Sequence, residues 1–160
     1  MMSFDEIYEA YLDSVYSFLK FKLKDDFLIE EVIQETFLAV YRSLDQFPEV
    51  KSVKAWIFTI AHRKMIDLLR RQKYEEVELD QHMITKELAT DLTLKEALSQ
   101  LDPTSSTIIY GLYVEQLTYQ ELAEIIGIPV GTVKSRAYTA RAKLRDWLRG
   151  GVNNEAGILY

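Results

Sequence analysis

Apolar residues in this chain return every three or four positions along nearly its whole length, and no stretch alternates with period two for long enough to require a strand. A stripe at that spacing lies along one side of an α-helix and is buried against another helix, so the pattern restricts the chain to an all-α fold. Start and stop signals delimit the helices. Ser3, with Glu6 three residues on, forms a capping box, after which Ile7, Tyr8, Tyr11, Leu12, Val15 and Leu19 carry a first helix to about Lys24. Ile29, Val32, Ile33, Thr36, Phe37, Val40, Tyr41 and Leu44 carry a second, which closes before Pro48 because the residue ahead of proline avoids helical angles. Ser52 can cap a third, with Trp56, Ile57, Ile60, Ala61, Ile66 and Leu69 as its apolar residues and an end near Gln72.

From Lys73 to Leu92 the period weakens and six acids face two bases, the composition of a linker. Helical spacing resumes with Leu94, Ala97, Leu98 and Leu101, and Asp102-Pro103 supplies a cap followed by proline at the first helical position of a helix from Thr104 to Val114. Thr118 and Glu121 form a second capping box, opening a short helix with Leu122, Ala123 and Ile126 that Gly127 stops. After Ile128-Pro129 a last helix is expected to reach about Leu148 and to end at Gly150-Gly151. The chain thus divides into two small helical domains, 1–72 and 93–149, joined by an acidic linker over 73–92, with an unassigned tail at 150–160.

There are no cysteines, which excludes disulfides, zinc–thiolate sites and thiol chemistry within the chain. The segment MMSFDEIYEA has acids where a secretory signal needs bases, and no apolar run nears the roughly 18 residues of a membrane span. A cytosolic protein without stable membrane insertion is expected. A net charge of −6 would oppose nucleic acid if it were spread evenly. It is not: residues 51–73 hold seven bases (Lys51, Lys54, Arg63, Lys64, Arg70, Arg71, Lys73) against Asp67, and residues 130–149 hold six (Lys134, Arg136, Arg141, Lys143, Arg145, Arg149) against Asp146. These stripes carry +11 together and leave −17 for the remainder. Two cationic stripes on an acidic body fit two separate phosphate contacts, although each would also serve as a solvated helix face.

Residues 119–138 have the layout of a helix-turn-helix, a short helix and a glycine turn followed by a longer helix rich in Lys, Arg, Ser and Thr near its start. Ala123 is small enough for a close crossing, Gly127 can take a positive φ, and Ile126, Ile128 and Val133 are expected to fill the space between the helices. In such motifs the first residues of the second helix meet base edges. Lys134, Ser135 and Tyr138 are therefore the candidates for the major groove, with Thr132, Arg136 and Arg141 on the phosphate backbone.

On these residues the chain resembles the extracytoplasmic-function (ECF) sigma factors of the sigma-70 family. LTYQELAEIIGIPVGTVKSRAYTARAKLR, residues 117–145, is similar to the family's region 4. EEVIQETFLAVYRSLDQF, residues 30–47, is similar to its polymerase-binding helix, and SVKAWIFTIAHRKMIDLLRR, residues 52–71, to its promoter-melting helix. The resemblance implies that the first domain is sigma region 2, which binds the clamp of the largest subunit of core RNA polymerase and opens the minus-10 element. The second would be region 4, which binds the minus-35 element and the polymerase flap. By position, polymerase contacts fall on Glu31, Gln34, Glu35, Leu38 and Arg42. For melting, a base flipped from the minus-10 duplex would be held by Phe47, Ser52, Arg63 and Asp67, with Lys64, Arg70 and Arg71 on the strand backbone. Trp56, at an apolar helical position, reads as core, and His62 beside Arg63 as part of the DNA-facing surface.

Two departures bear on specificity. Many relatives have asparagine where Arg63 stands, and a basic or large polar residue where Thr139 follows Tyr138, so base preferences at neither element carry over. The resemblance also implies an anti-sigma factor, through which the protein could be held at a membrane, and a role in a stress or envelope response. A conventional helix-turn-helix regulator would account for residues 117–149 but leaves the block from 30 to 71 without a role. An enzyme is not expected: His62 and His82 are the only histidines, no paired-carboxylate spacing stands out, no Gly-rich phosphate loop exists, and neither metal nor cofactor is implied.

Overall fold

The computed structural model describes residues 2–45, 50–75 and 92–156, with side chains over 2–45, 50–72 and 96–150. Every regular element among them is a helix: α1 (Phe4–Lys22), α2 (Asp26–Arg42), α3 (Val53–Glu75), α4 (Leu92–Ser99), α5 (Pro103–Tyr113), α6 (Tyr119–Ile126) and α7 (Val130–Ala156). They fall into an N-terminal unit holding α1–α3 and a C-terminal unit holding α4, α5, α7 and most of α6.

Local signals set the ends of the first three helices. Ser3 Oγ accepts the Glu6 amide at 3.2 Å while Glu6 accepts the Ser3 amide at 3.0 Å, which satisfies two of the four amides that a helix start leaves without partners. Asp25 caps α2 by accepting the Phe27 amide at 2.9 Å, and Ser52 caps α3 by accepting that of Ala55 at 3.2 Å. The three helices pack on one another, α2 most closely on α3. Their shared core is Ile7, Val15, Phe18, Leu19 and Phe21 from α1, Ile29, Val32, Phe37 and Val40 from α2, and Ala55, Ile57, Phe58, Ala61, Met65 and Leu68 from α3. Phe18 meets Phe58 edge-on at 5.5 Å. Each large aliphatic or aromatic side chain buried this way stabilises the unit by about 1.5–3 kcal/mol.

The buried side of α3 differs from the expected one. Trp56, Ile60, Ile66 and Leu69 are half-buried, whereas Phe58, Met65 and Leu68 are buried. Residues 57, 58, 61, 65 and 68 share one side of a helix with 3.6 residues per turn, while the expected set strayed across two sides of a helix whose apolar content is broad. Likewise Tyr8 and Tyr41 are exposed rather than core. Their rings make edge contacts, Tyr41 with Phe4 at 5.4 Å and Tyr8 with the buried Phe37 at 5.0 Å. Helix α3 also runs three residues past Gln72, to Glu75.

In the C-terminal unit Asp102 caps α5, accepting the Ser105 amide at 3.2 Å, with Pro103 in the first turn. The buried hydroxyls of Ser106 and Thr107 donate back to the Pro103 carbonyl at 2.9 and 3.0 Å, which offsets the cost of taking them out of water. Helix α7 packs on α5 and α4, around Leu101, Ile109 and Ala140 with Leu98 and Leu144 at the margin. Gly111 lets α6 approach α5: a Cβ there would stand 2.5 Å from Leu122 Cδ2. The glycine pair at 150–151 does not end α7, which continues to Ala156. Glycine stops a helix where it adopts positive φ, and among the described residues only Gly127, at +82°, does so among glycines. Within a helix it costs only about 1 kcal/mol.

Candidate nucleic-acid and polymerase interfaces

The C-terminal site is built from α6, its turn and the start of α7. Thr118 Oγ1 accepts the Glu121 amide at 3.0 Å and Glu121 accepts the Thr118 amide at 2.9 Å, fixing the entry to α6. At the other end the Gly127 and Ile128 amides both bond to the Ala123 carbonyl, at 2.8 and 3.2 Å, through the left-handed glycine. The chain then re-enters helix at Pro129, whose carbonyl accepts the amides of Thr132 and Val133. Ala123, Ile125 and Val133 are buried, whereas Ile126 and Ile128, expected to be core, are half-buried.

Val133, Ala137 and Ala140 form the buried side of α7, which turns Lys134, Ser135, Arg136 and Tyr138 outward. Tyr138 is 73% exposed, so its ring is free to meet a partner. Thr132 is half-buried and accepts the Ser135 hydroxyl on its carbonyl at 3.1 Å. Two cations of this helix have partners that sequence spacing does not disclose. Arg136 Nη1 lies 3.3 Å from Asp102 Oδ2. Arg141 donates to the hydroxyls of Tyr113 and Tyr119, each at 3.2 Å, and these bonds raise its already high pKa further. The ammonium of Lys134 stands 6.0 Å from the centroid of the same Tyr119 ring, at the outer limit of a cation–π contact. Burial alone would raise the Asp102 carboxyl, but its hydrogen bonds from Ser105 and the Arg136 charge outweigh that and hold it below its usual range.

The N-terminal unit presents two surfaces. On α2, Glu31, Gln34, Glu35 and Arg42 are exposed and Leu38 is 46% exposed, a mixed polar and apolar face. On α3, Arg63, Asp67, Arg70 and Arg71 are exposed. Lys64 is turned toward α2, its ammonium 3.6 Å from Glu35, so the two candidate surfaces share an ion pair. Ser52 is half-buried and occupied in capping α3. Phe47 lies outside the described residues. His62 is half-buried rather than displayed on the surface. Burial, then the nearby Lys22 and Arg63 charges, lower its imidazole to about 4, so at neutral pH it adds no charge to the cationic stripe.

A three-helix unit followed by a helix-turn-helix unit, each with a cationic helix, is the layout of the sigma-70 class of transcription initiation factors. Residues 7–74 match the Sigma-70 region 2 family and residues 91–144 the Sigma-70, region 4 family. The chain is 32% identical to the ECF RNA polymerase sigma factor SigM of Bacillus subtilis (strain 168), over 96% of this chain and 100% of that protein. It is 27% identical to SigW of the same organism, over 92% and 89%. The structure is similar to that of the sigma factor RpoE in its complex with the anti-sigma factor NepR from Bartonella quintana, with a TM-score of 0.75, 25% identity, and coverage of 91% of this chain and 96% of that one. It is also similar to CnrH in complex with the cytosolic domain of CnrY, with a TM-score of 0.66 and 25% identity over 91% and 86%. The chain belongs to the ECF RNA polymerase sigma factors: it directs core RNA polymerase to specific promoters and initiates transcription. No helix among the described residues is long and apolar enough to cross a membrane.

Proposed function

We propose that the two units divide promoter recognition, with residues 1–72 acting as region 2 and 93–149 as region 4. The α2 face of Glu31, Gln34, Glu35, Leu38 and Arg42 docks on the clamp of the largest polymerase subunit; a face carrying one apolar side chain among charges suits a helix of another protein. The α3 cations Arg63, Lys64, Arg70 and Arg71 hold the separated minus-10 strand, and Phe47, Ser52 and Asp67 border the flipped base. On α7, Lys134, Ser135 and Tyr138 read the minus-35 element in the major groove, while Thr132, Arg136 and Arg141 meet its phosphates and the unit touches the polymerase flap.

The observation that carries this reading is the outward presentation of Lys134, Ser135 and Tyr138 at the start of a helix set by a left-handed glycine turn. The protein acts in the cytoplasm as an initiation factor without catalysis of its own, since positioning a larger enzyme requires none. An anti-sigma factor covers the same faces when transcription is not wanted, a reading supported by the similar structure of the sigma factor RpoE in complex with the anti-sigma factor NepR. Run-off transcription with purified core polymerase on genomic promoter fragments tests the proposal. Specific transcripts that depend on the added chain are expected, and failure of the chain to associate with core polymerase would refute it.

A further inference from the structure

Asp102 uses one carboxylate twice. Its Oδ2 accepts the Ser105 amide as the cap of α5 and also lies 3.3 Å from Nη1 of Arg136 on α7. Arg136 follows Ser135 on the exposed side of that helix, where a guanidinium would otherwise be open to a DNA phosphate. Carboxylate and phosphodiester offer a guanidinium the same kind of anionic oxygen, so the two compete for it. We propose that Asp102 is an internal counter-ion that Arg136 must leave in order to grip the DNA backbone, and that it thereby sets how tightly the C-terminal unit holds DNA of any sequence. This rests on the assignment of α7 to duplex DNA made above.

The competition is winnable for the phosphate. The side chains of Arg136 and Asp102 are 46% and 47% exposed, and a pair so well solvated is weak. A phosphate contact also releases condensed counterions, which the carboxylate does not. Asp102 therefore does not block DNA; it subtracts a small, sequence-independent part of the affinity. Base contacts from Lys134, Ser135 and Tyr138 are left alone, so occupancy of arbitrary DNA falls while discrimination between sequences is kept.

Asp102→Asn separates the two uses of the carboxylate, because asparagine caps a helix as well as aspartate does but carries no charge. The full chain is titrated at low ionic strength against a short fluorescent duplex of arbitrary sequence, with thermal melting to confirm unchanged folding. Asp102→Asn should bind about threefold more tightly than the parent, the size expected for an exposed pair, with an unaltered salt slope. Arg136→Gln should weaken binding and lower that slope by about one, and in its background Asp102→Asn should gain almost nothing. An equal gain in both backgrounds would reduce the effect to net charge and overturn the proposal, as would weaker binding by Asp102→Asn, which would make the pair a brace. Lys134→Ala distinguishes the underlying reading: if neither it nor Arg136→Gln alters binding, α7 is not the DNA helix, whereas a loss with Lys134→Ala and no gain with Asp102→Asn defeats the counter-ion alone.

Discussion

Acidification should destabilise the N-terminal unit through a single side chain, His62. Its imidazole is lowered from 6.5 to about 4, by burial first and then by the Lys22 and Arg63 charges. Above pH 6.5 the ring is neutral in the folded and the unfolded chain and contributes nothing to pH dependence. Between 6.5 and 4 the unfolded chain takes up a proton that the folded chain refuses, so stability falls as the pH drops, and the loss is complete below 4. At about 1.4 kcal/mol per pH unit, the loss between neutrality and pH 5 comes to about 2 kcal/mol. Carboxylates titrate over part of the same range, so the informative quantity is the difference between the parent and His62→Gln. Trp56 lies on α3 and Trp147 on α7, one per unit, so a Trp147→Phe background lets Trp56 fluorescence report urea unfolding of the N-terminal unit alone. Stability of the parent should fall more steeply than that of His62→Gln between neutral pH and pH 5. Identical slopes in the two proteins, or a resonance assigned to the His62 imidazole (absent from His62→Gln) that titrates near 6.5 in the folded chain, would refute the reasoning.

Three further outcomes are expected. Gly111→Ala gains about 1 kcal/mol of helix propensity, but its methyl group collides with the buried Leu122, so urea unfolding followed at Trp147 should show a net loss of about 1 kcal/mol. Gly127→Ala, at φ +82°, should destabilise the C-terminal unit by about 1–2 kcal/mol although open space surrounds the new methyl, because the strain lies in the backbone. Lys134→Ala combined with Tyr138→Ala should abolish minus-35 recognition in footprinting while core polymerase still co-elutes with the chain; equal loss of both would contradict the division of labour between the units.

Helix content was legible because periodicity and capping are local. The boxes at Ser3–Glu6 and Thr118–Glu121, the Asp102 cap and the Gly127 turn each depend on residues within one turn of one another, and each appears in the structure with its hydrogen bonds formed. The phase of α3 was less legible. Where apolar residues occupy more than half of a helix circumference, as from Ala55 to Leu69, choosing the buried side needs the neighbours, and these are α1 and α2. His62 belongs to the same failure: its position next to Arg63 says nothing of the burial that keeps it neutral. Gly150-Gly151 failed as a stop because glycine permits a left-handed turn without compelling one.

The candidate site shows the same limit in electrostatic form. Counting charges along residues 130–149 yields a strongly cationic stripe, but a stripe does not say which cations are already engaged. Asp102 and Arg136 are 34 residues apart, and Tyr113 and Arg141 are 28 apart, so only the fold brings them together. The same holds for Glu35 and Lys64, which join a face proposed for polymerase to one proposed for DNA. Each such contact takes a little from the affinity that the charge count suggests, because the cation must exchange one anionic or polar partner for another. On the proposed assignment of α3 and α7 to DNA, a chain with two surfaces discounted in this way binds poorly through either one alone. It gains when both are held at fixed spacing by one large enzyme, since the second contact then forms at high effective concentration. Weakness of the separate units is thus a condition of promoter choice by the holoenzyme, because arbitrary DNA that engages one surface at a time is released while a promoter that engages both is kept.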